Sequence, residues 1–327
     1  MPKQKRTQPR PQTLYRVKNW SEYDKALVQR GSINFWMSDD FEKTWLYVGE
    51  KQRGSQFDYS EQAILAMLTV KEVFHLTNRG VEGFMRSIFQ LMKINLPVPD
   101  HSTLSKRGKD LKVNLPKKAS HSLNIVMDST GLKIYGDGEW KVRMHGVSKR
   151  RTWRKLHMGV NPQDGEIQAV LLTENSVSDD EVVGGLLEQI EPTILDFAAD
   201  PERAQGVGAY DKRKVYDHLN AHSPNVNILI PPRKNARIWK YGNSKAERLK
   251  RDENLRAIRK DGRRAWKEKS GYHVRSLAET IMFRLKTIFG YGLSARLIET
   301  QTTQAWIRCV ALNKMTHSGM PLSYKVV

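Results

Sequence analysis

The stretch Gly271-Tyr-His-Val-Arg-Ser-Leu-Ala-Glu-Thr-Ile-Met-Phe-Arg-Leu-Lys-Thr-Ile-Phe289 decides how the rest of the chain is read. Its apolar residues Val274, Leu277, Ala278, Ile281, Met282, Leu285, Ile288 and Phe289 recur at i, i+3, i+4, i+7, i+8, i+11, i+14 and i+15. That spacing predicts an amphipathic helix docked on a core. A second line runs beside the apolar stripe. At about 100° per residue, Glu279 lies about 40° around the axis from Arg275, and Lys286 about 20° from it. A carboxylate flanked by two cations suits a place where metal and phosphate meet, which points to phosphoryl-transfer chemistry on nucleic acid. Taken alone, Arg275 and Glu279 also read as a surface i, i+4 ion pair worth roughly 0.3–0.5 kcal/mol.

Composition narrows the classes. The chain has 327 residues, long enough for two domains and a large core. A hydrophobic content of 39% with a mean hydropathy of −0.60 predicts a soluble, rather polar protein. No run approaches the ~18 apolar residues of a membrane span. The basic start Met1-Pro-Lys-Gln-Lys-Arg-Thr-Gln-Pro-Arg10 is followed by no apolar segment, so no secretion signal is expected. Cys309 is the single cysteine, which rules out an intramolecular disulfide and argues against thiolate zinc or iron–sulfur sites. A reducing, cytoplasmic setting is the expectation.

The formal charge is +20 and the isoelectric point about 9.9, an argument for a polyanionic partner. From Arg233 to Lys269 there are fifteen Lys or Arg against five Asp or Glu, so half of the excess lies in this segment. Lys3, Lys5, Arg6, Arg10, Arg16 and Lys18 form a second cluster. Neither cluster has the aromatic-tipped apolar face of a membrane-surface helix, so nucleic acid is favoured over membrane. The run 233–269 reads as a DNA-binding insertion rather than a merely solvated face.

Outward from the opening helix, the chain divides by pattern. Residues 1–19, with Pro2, Pro9 and Pro11, read as a flexible basic arm. From about 20 to 112 the pattern is helical. Ser60 is placed to cap one helix, Thr77 and Asn78 precede another, and Asp100 or Ser102 caps a short third one bearing Lys106 and Arg107. These helices are compatible with a helix-turn-helix DNA reader, in which Lys106 and Arg107 touch DNA, and equally with an ordinary helical domain.

After a linker at 113–120 the periodicity changes, and residues 120–300 read as an α/β domain. Strands are expected at Leu123–Tyr135, Leu156–Val160 and Ile167–Leu172, the last two joined by the hairpin turn Asn161-Pro-Gln-Asp-Gly165. A helix at Asp179–Ile190, a strand near Ala204–Val207, a helix from about Lys212 to Leu219 and a strand at Val226–Ile230 follow. Residues 301–327 form a C-terminal segment.

Asp128 ends the apolar run Ile125-Val-Met127, where aspartate is disfavoured. Ser129, Thr130 and a turn are one way to satisfy it. The other is Mg²⁺, which takes carboxylate oxygens from different elements and keeps several waters. The histidines, His145 and His157 among them, lack metal-ligand spacing. Trp140, Trp153, Trp239 and Trp266 lie among basic residues, where stacking on bases or ordinary packing are both open.

The spacing tyrosine, two residues, arginine, three residues, glutamate, six residues, lysine is met by Tyr272, Arg275, Glu279 and Lys286. It resembles the signature of bacterial insertion-sequence transposases with a DDE catalytic domain, and of these the IS-five family most. Asn19-Trp-Ser-Glu-Tyr23, Arg30-Gly-Ser32, Phe35-Trp36, Asp100-His-Ser-Thr-Leu104, Asp128-Ser-Thr130, Arg151-Thr-Trp-Arg-Lys-Leu-His157 and Gly208-Ala-Tyr-Asp-Lys-Arg-Lys-Val-Tyr216 extend the resemblance over nearly the whole chain.

The resemblance implies an RNase H-like catalytic domain, a mixed sheet flanked by helices, preceded by a helical DNA-binding domain. It implies Mg²⁺, with Mn²⁺ able to substitute, held by Asp128 and Glu279. Tyr272, Arg275 and Lys286 would contact DNA. The implied partners are double-stranded DNA, as terminal inverted repeats and target, and further copies of the chain in a homo-oligomer on DNA. The implied place is the bacterial cytoplasm.

One departure stands out. The family's second aspartate directly precedes Gly-Ala-Tyr, and here Val207 holds that position. Valine cannot ligate a metal. Asp211 is the nearest substitute, readable as a catalytic carboxylate or as the cap of the helix that follows it. Three functions therefore compete: an active transposase, a DNA-binding relative that has lost its chemistry, and a nuclease of the same fold that needs no DNA reader.

Overall fold

Residues 123–134 form the central strand of a sheet, and the other elements are arranged about it. The computed structural model describes residues 14–50, 54, 56–117, 123–134, 153–199, 210–240 and 249–326. The chain opens with β1 (Leu14–Val17), α1 (Trp20–Arg30), α2 (Ile33–Trp36), α3 (Phe41–Thr44), α4 (Glu61–Val73), α5 (Asn78–Leu91) and α6 (His101–Arg107). Next come β2 (Leu123–Ile134), β3 (Trp153–Asn161), β4 (Glu166–Glu174), α7 (Val183–Leu187), β5 (Ile194–Ala199), α8 (Arg213–His222) and β6 (Asn227–Leu229). The basic segment contributes α9 (Lys250–Asp261) and α10 (Arg263–Lys269), and a 3₁₀ turn (Tyr272–Arg275) leads into α11 (Ser276–Phe289). β7 (Gly292–Leu293), α12 (Ile298–Ser318) and β8 (Ser323–Val326) complete it.

The six-stranded sheet has the order β4-β3-β2-β5-β6, with β7 also paired to β2. β2, β3 and β4 run antiparallel, whereas β5 and β7 run parallel to β2 and β6 parallel to β5. The β3–β4 hairpin turns within Asn161–Gly165. Asn161 Oδ1 accepts from the Gln163 N–H at 3.1 Å, Asp164 Oδ1 accepts from the Glu166 N–H at 2.9 Å, and Gly165 takes a φ of +75°. The two-residue period of β2 assigns its side chains to layers. Leu123, Ile125 and Met127 pack with α7 and α8, while Leu132 joins the core beneath α11 and α12. The result is a mixed α/β sheet flanked by helices.

Ser60 caps its helix as expected, Asp100 rather than Ser102 caps α6, and Thr77, expected only to precede α5, caps it. Ser60 Oγ accepts from the Ala63 N–H at 3.0 Å and Thr77 Oγ1 from the Gly80 N–H at 3.0 Å. Asp100 Oδ1 accepts from the Thr103 N–H at 2.7 Å. Residues 92–100 separate α5 from α6, a longer connection than the roughly three or four residues of a helix-turn-helix. Trp45, Met67 and Met85 of the N-terminal helices share one cluster with Leu156 and Met158 of the sheet and with Leu285 and Leu312 of α11 and α12. The helices of residues 20–112 thus rest on the same core as the sheet.

A buried ion pair ties α4 to α12. Arg308 Nε lies 2.7 Å from Glu72 Oε2, and Gln304 Nε2 donates to both Glu72 oxygens at 3.0 Å. Burial pushes the Glu72 carboxyl up, but the Arg308 and Lys71 charges prevail and hold it below its ordinary value.

Several expectations are corrected. The arm expected over 1–19 is a strand at Leu14–Val17, because its backbone pairs antiparallel with β8; residues 1–13 lie outside the described residues. Much of segment 301–327 is α12, which buries Gln301, Gln304, Arg308 and Asn313 along with its apolar residues. The helix expected at Asp179–Ile190 shortens to α7, and β5 is a strand that the pattern did not announce. The strand expected near Ala204–Val207 lies outside the described residues, as do Trp140 and His145. On α11 the expected face holds for Ala278, Ile281, Met282, Leu285 and Phe289. Val274 and Leu277 are instead 41% and 40% exposed, and for Val274 the reason is the tighter 3₁₀ turn at 272–275, which takes it out of the helical phase. No helix among the described residues is long and apolar enough to cross a membrane.

Two measurements check this packing. Leu285 is fully buried on α11, so Leu285→Ala should lower the free energy of unfolding by about 2–5 kcal/mol in denaturant titrations; a loss near zero would mean that α11 is not docked. Burial pushes the Cys309 thiol up to about 12, so it should stay unlabelled by a thiol reagent in native protein and react on denaturation.

Candidate active site

The parity of β2 decides where its polar residues point. Met127 and Ser129 face the α7–α8 side, and Val126 and Asp128 face the side of α10 and α11. A backbone amide fixes the Asp128 carboxylate locally: the Ser129 N–H donates to Asp128 Oδ1 at 2.8 Å. Across the layer, Arg275 Nη2 donates to Asp128 Oδ2 at 3.0 Å, although 147 residues separate the two. The same guanidinium donates through Nη1 to Glu279 Oε1 at 2.7 Å. Two carboxylates, one from the sheet and one from a helix, therefore converge on a single cation. Asp128 and Arg275 are 13% and 16% exposed, and Glu279 is 58% exposed, so the constellation opens to solvent on the Glu279 side.

The approach of α11 depends on the chain just before it. Gly271 takes a φ of +71°, which turns α10 into the 3₁₀ segment. Tyr272 is buried there, its ring centroid 5.9 Å from that of Trp266, and its hydroxyl reaches the Ala199 carbonyl at 3.4 Å. The side chain expected to touch DNA is thus engaged in packing that sets the height of Arg275 above β2. Lys286, one stripe further along α11, lies 5.7 Å from the ring centroid of Tyr291. At α6, Lys106 is exposed, whereas Arg107 turns inward, donating to the Tyr59 carbonyl at 2.9 Å and lying 3.9 Å over the Phe57 ring.

Asp211 is held by a different arginine. Arg251 grips it through Nε at 2.7 Å and Nη2 at 3.1 Å, and the Arg233 N–H reaches it at 3.4 Å. It does not cap α8, whose N-cap Lys212 makes no side-chain cap bond. Arg251 also lies 3.9 Å over the Trp239 ring, so Asp211 belongs to a buried bidentate pair that holds α9 to the start of α8. Trp239 and Trp266 are packing residues of this region. Val207 lies outside the described residues.

Sequence reasoning missed the polar layer behind β2. Ser129 Oγ donates to Asp179 Oδ1 at 2.9 Å, and Lys155 Nζ and His157 Nδ1 approach the same oxygen at 3.5 and 3.4 Å. Its neighbour Asp180 pairs with Lys212 at 2.7 Å and Lys214 at 2.6 Å. The adjacent carboxylates thus link the back of β2 to the head of α8. The dipeptide Asp179-Asp180 before a helix was the available signal, and it reads as a cap.

Among the described residues, no group of three or more His, Cys, Asp and Glu side chains is assembled to hold a metal. Asp128 and Glu279 still present hard oxygen donors from two elements, and both already share one cation. That donor set fits a divalent ion that keeps several waters.

The sequence matches a protein family described as a transposase DDE domain over residues 120–314, and a second family with that description over residues 28–137. Among solved structures, the chain is similar to the Drosophila P element transposase strand transfer complex, at 10% identity and a TM-score of 0.31. The alignment covers 65% of this chain and 47% of that one.

The Asp180 clamp makes a pH-dependent contribution. Burial pushes its carboxyl up, but hydrogen bonds from Lys212, Lys214 and Ser178 outweigh this and hold it at about 2. The folded value lies below the unfolded one of about 3.9, so the stabilisation is present above about pH 4 and is lost as pH falls through about 2. Lys212 and Lys214 are 39% and 46% exposed, and solvent screening limits the term to about 1 kcal/mol. Asp180→Asn should flatten stability against pH between about 4 and 2 in acid-unfolding curves; an unchanged slope would count against the clamp.

Proposed function

The chain belongs to the family of transposases with a DDE domain, and from that membership we propose that it binds the terminal inverted repeats of a bacterial insertion sequence, of the IS-five kind, and catalyses DNA cleavage and strand transfer. The observation that carries this reading is the convergence of Asp128 and Glu279 on Arg275. The mixed sheet centred on β2 and flanked by helices supports an RNase H-like catalytic domain, with the helices of residues 20–112 as its DNA-binding partner. The net charge of +20 supports double-stranded DNA as the substrate; in this proposal a homo-oligomer binds it in the cytoplasm.

Asp128 and Glu279 would hold Mg²⁺, or Mn²⁺ in its stead. When bound, such an ion activates a water and neutralises charge gathering on the phosphoryl oxygens. Hydrolysis of a phosphodiester at the element's end frees a 3′-hydroxyl, which then attacks a phosphodiester of target DNA, and no covalent enzyme intermediate forms. Arg275 and Lys286 bind phosphates along α11 and fix the scissile bond relative to the carboxylates. Lys106 supplies a phosphate contact from α6.

A second reading has its own support. Val207 stands where the family's second aspartate belongs, and Asp211 is occupied by Arg251. On that reading the chain is a DNA-binding relative whose catalysis is weak or lost.

The test is cleavage of a labelled duplex carrying the element's own terminal repeat, with Mg²⁺ or Mn²⁺, by wild type, Asp128→Asn, Glu279→Gln and Val207→Asp. An active transposase loses at least about a hundredfold in rate with either carboxylate variant, and loses all cleavage with a chelator. Cutting by Val207→Asp alone would establish the second reading. Cutting that survives Asp128→Asn would overturn the assignment of the site, and equal cutting of unrelated duplexes would indicate a nuclease.

A further inference from the structure

A groove of about 960 Å³ lies between the α4–α5 turn, α6 and the segment from Phe289 to the start of α12. Among the described residues its cationic lining is Lys71, Arg79, Arg296 and Arg308, set against one carboxylate, that of Glu72. That carboxylate is buried and already balanced by Arg308 at 2.7 Å and Lys71 at 3.2 Å. Arg79 and Arg296 are exposed and make no ion pair among the described residues. Tyr291 and Leu297, 55% and 54% exposed, add apolar surface beside these charges. Two unpaired guanidinium groups near an exposed ring and an aliphatic side chain suit a phosphodiester chain with its sugars and bases.

The groove's position strengthens this. Lys286, at the far end of the α11 stripe, lies 5.7 Å from the ring of Tyr291, which lines the groove. Ser105, the neighbour of the exposed Lys106, lines the same groove. The groove therefore lies next to both cationic contacts. We propose that this groove carries the phosphate backbone of the DNA strand running from the Asp128–Glu279 site towards α6, with Arg79 and Arg296 as its phosphate contacts. The proposal rests on the DNA-processing reading above and adds a binding track to it.

The test is fluorescence anisotropy of a labelled duplex with the full chain over a series of salt concentrations. Each phosphate contact contributes about 0.9 to the slope of log affinity against log salt, so Arg79→Glu with Arg296→Glu should lower the slope by about 1.8. The pair Arg79→Lys and Arg296→Lys should keep most of it. Lys325→Glu, on the exposed β1–β8 ribbon, changes the net charge as much as either groove substitution alone and should leave the slope near wild type, whereas each groove substitution alone lowers it by about 0.9. An unchanged slope in the groove variant, or an equal fall in the ribbon variant, overturns the proposal. If Lys286→Gln lowers the slope while the groove variant does not, the groove alone is wrong. Wild-type binding without salt dependence would overturn the DNA reading beneath it as well.

Discussion

The two-residue alternation of β2 is the constraint from which the candidate site follows. β2 pairs with β3 on one side and with β5 and β7 on the other, so its register cannot slip without breaking three sets of pairings. Within that register, Met127 and Ser129 belong to one layer and Asp128 to the other. A shift of one residue would turn Asp128 towards Asp179 and place Met127 under Arg275. The site is thus specified by backbone pairing before any side chain in it makes a contact.

The electrostatics rest on the same strand. Asp128 is largely covered, and a covered carboxylate requires donors or a cation. It has both, from the Ser129 amide and Arg275. Arg275 reaches it because Tyr272 and Trp266 fill the space under the 3₁₀ turn. Behind the strand, the opposite problem is solved with other parts: Asp179 faces Ser129, Lys155 and His157, and Asp180 faces two lysines. Acidic residues on both faces of one sheet are each matched by cations from a different element.

The parts legible in the sequence were those governed by local rules. The caps at Ser60 and Asp100, the Asn161–Gly165 turn and the buried face of α11 depend on neighbours within a few residues. What escaped depends on distant ones. Ile194-Leu-Asp-Phe-Ala-Ala199 has too few β-branched residues to announce a strand, and becomes one because β2 and β6 flank it. α12 shows little amphipathic contrast because it is enclosed on most sides, with Gln304, Arg308 and Asn313 bonded inside. The pairing of Asp211 with Arg251 spans 40 residues and has no local signature. The Arg275–Glu279 pair was visible in the spacing, but its third member, Asp128, could be attached only through the fold.

The ribbon of β1 and β8 imposes a timetable on the making of the protein. Leu14 pairs with Val326, and Asn19 bonds the Met320 carbonyl across 301 residues. The large core likewise needs Trp36 and Met315 together. During synthesis at about 5–20 residues per second, β1 waits roughly 15–60 s for β8, and the first six helices wait roughly 10–60 s for α12. Through that interval the apolar faces of α4 and α5 stand open to other chains. A ribosome that stalls before α12 therefore releases an unfinished core rather than a working N-terminal fragment.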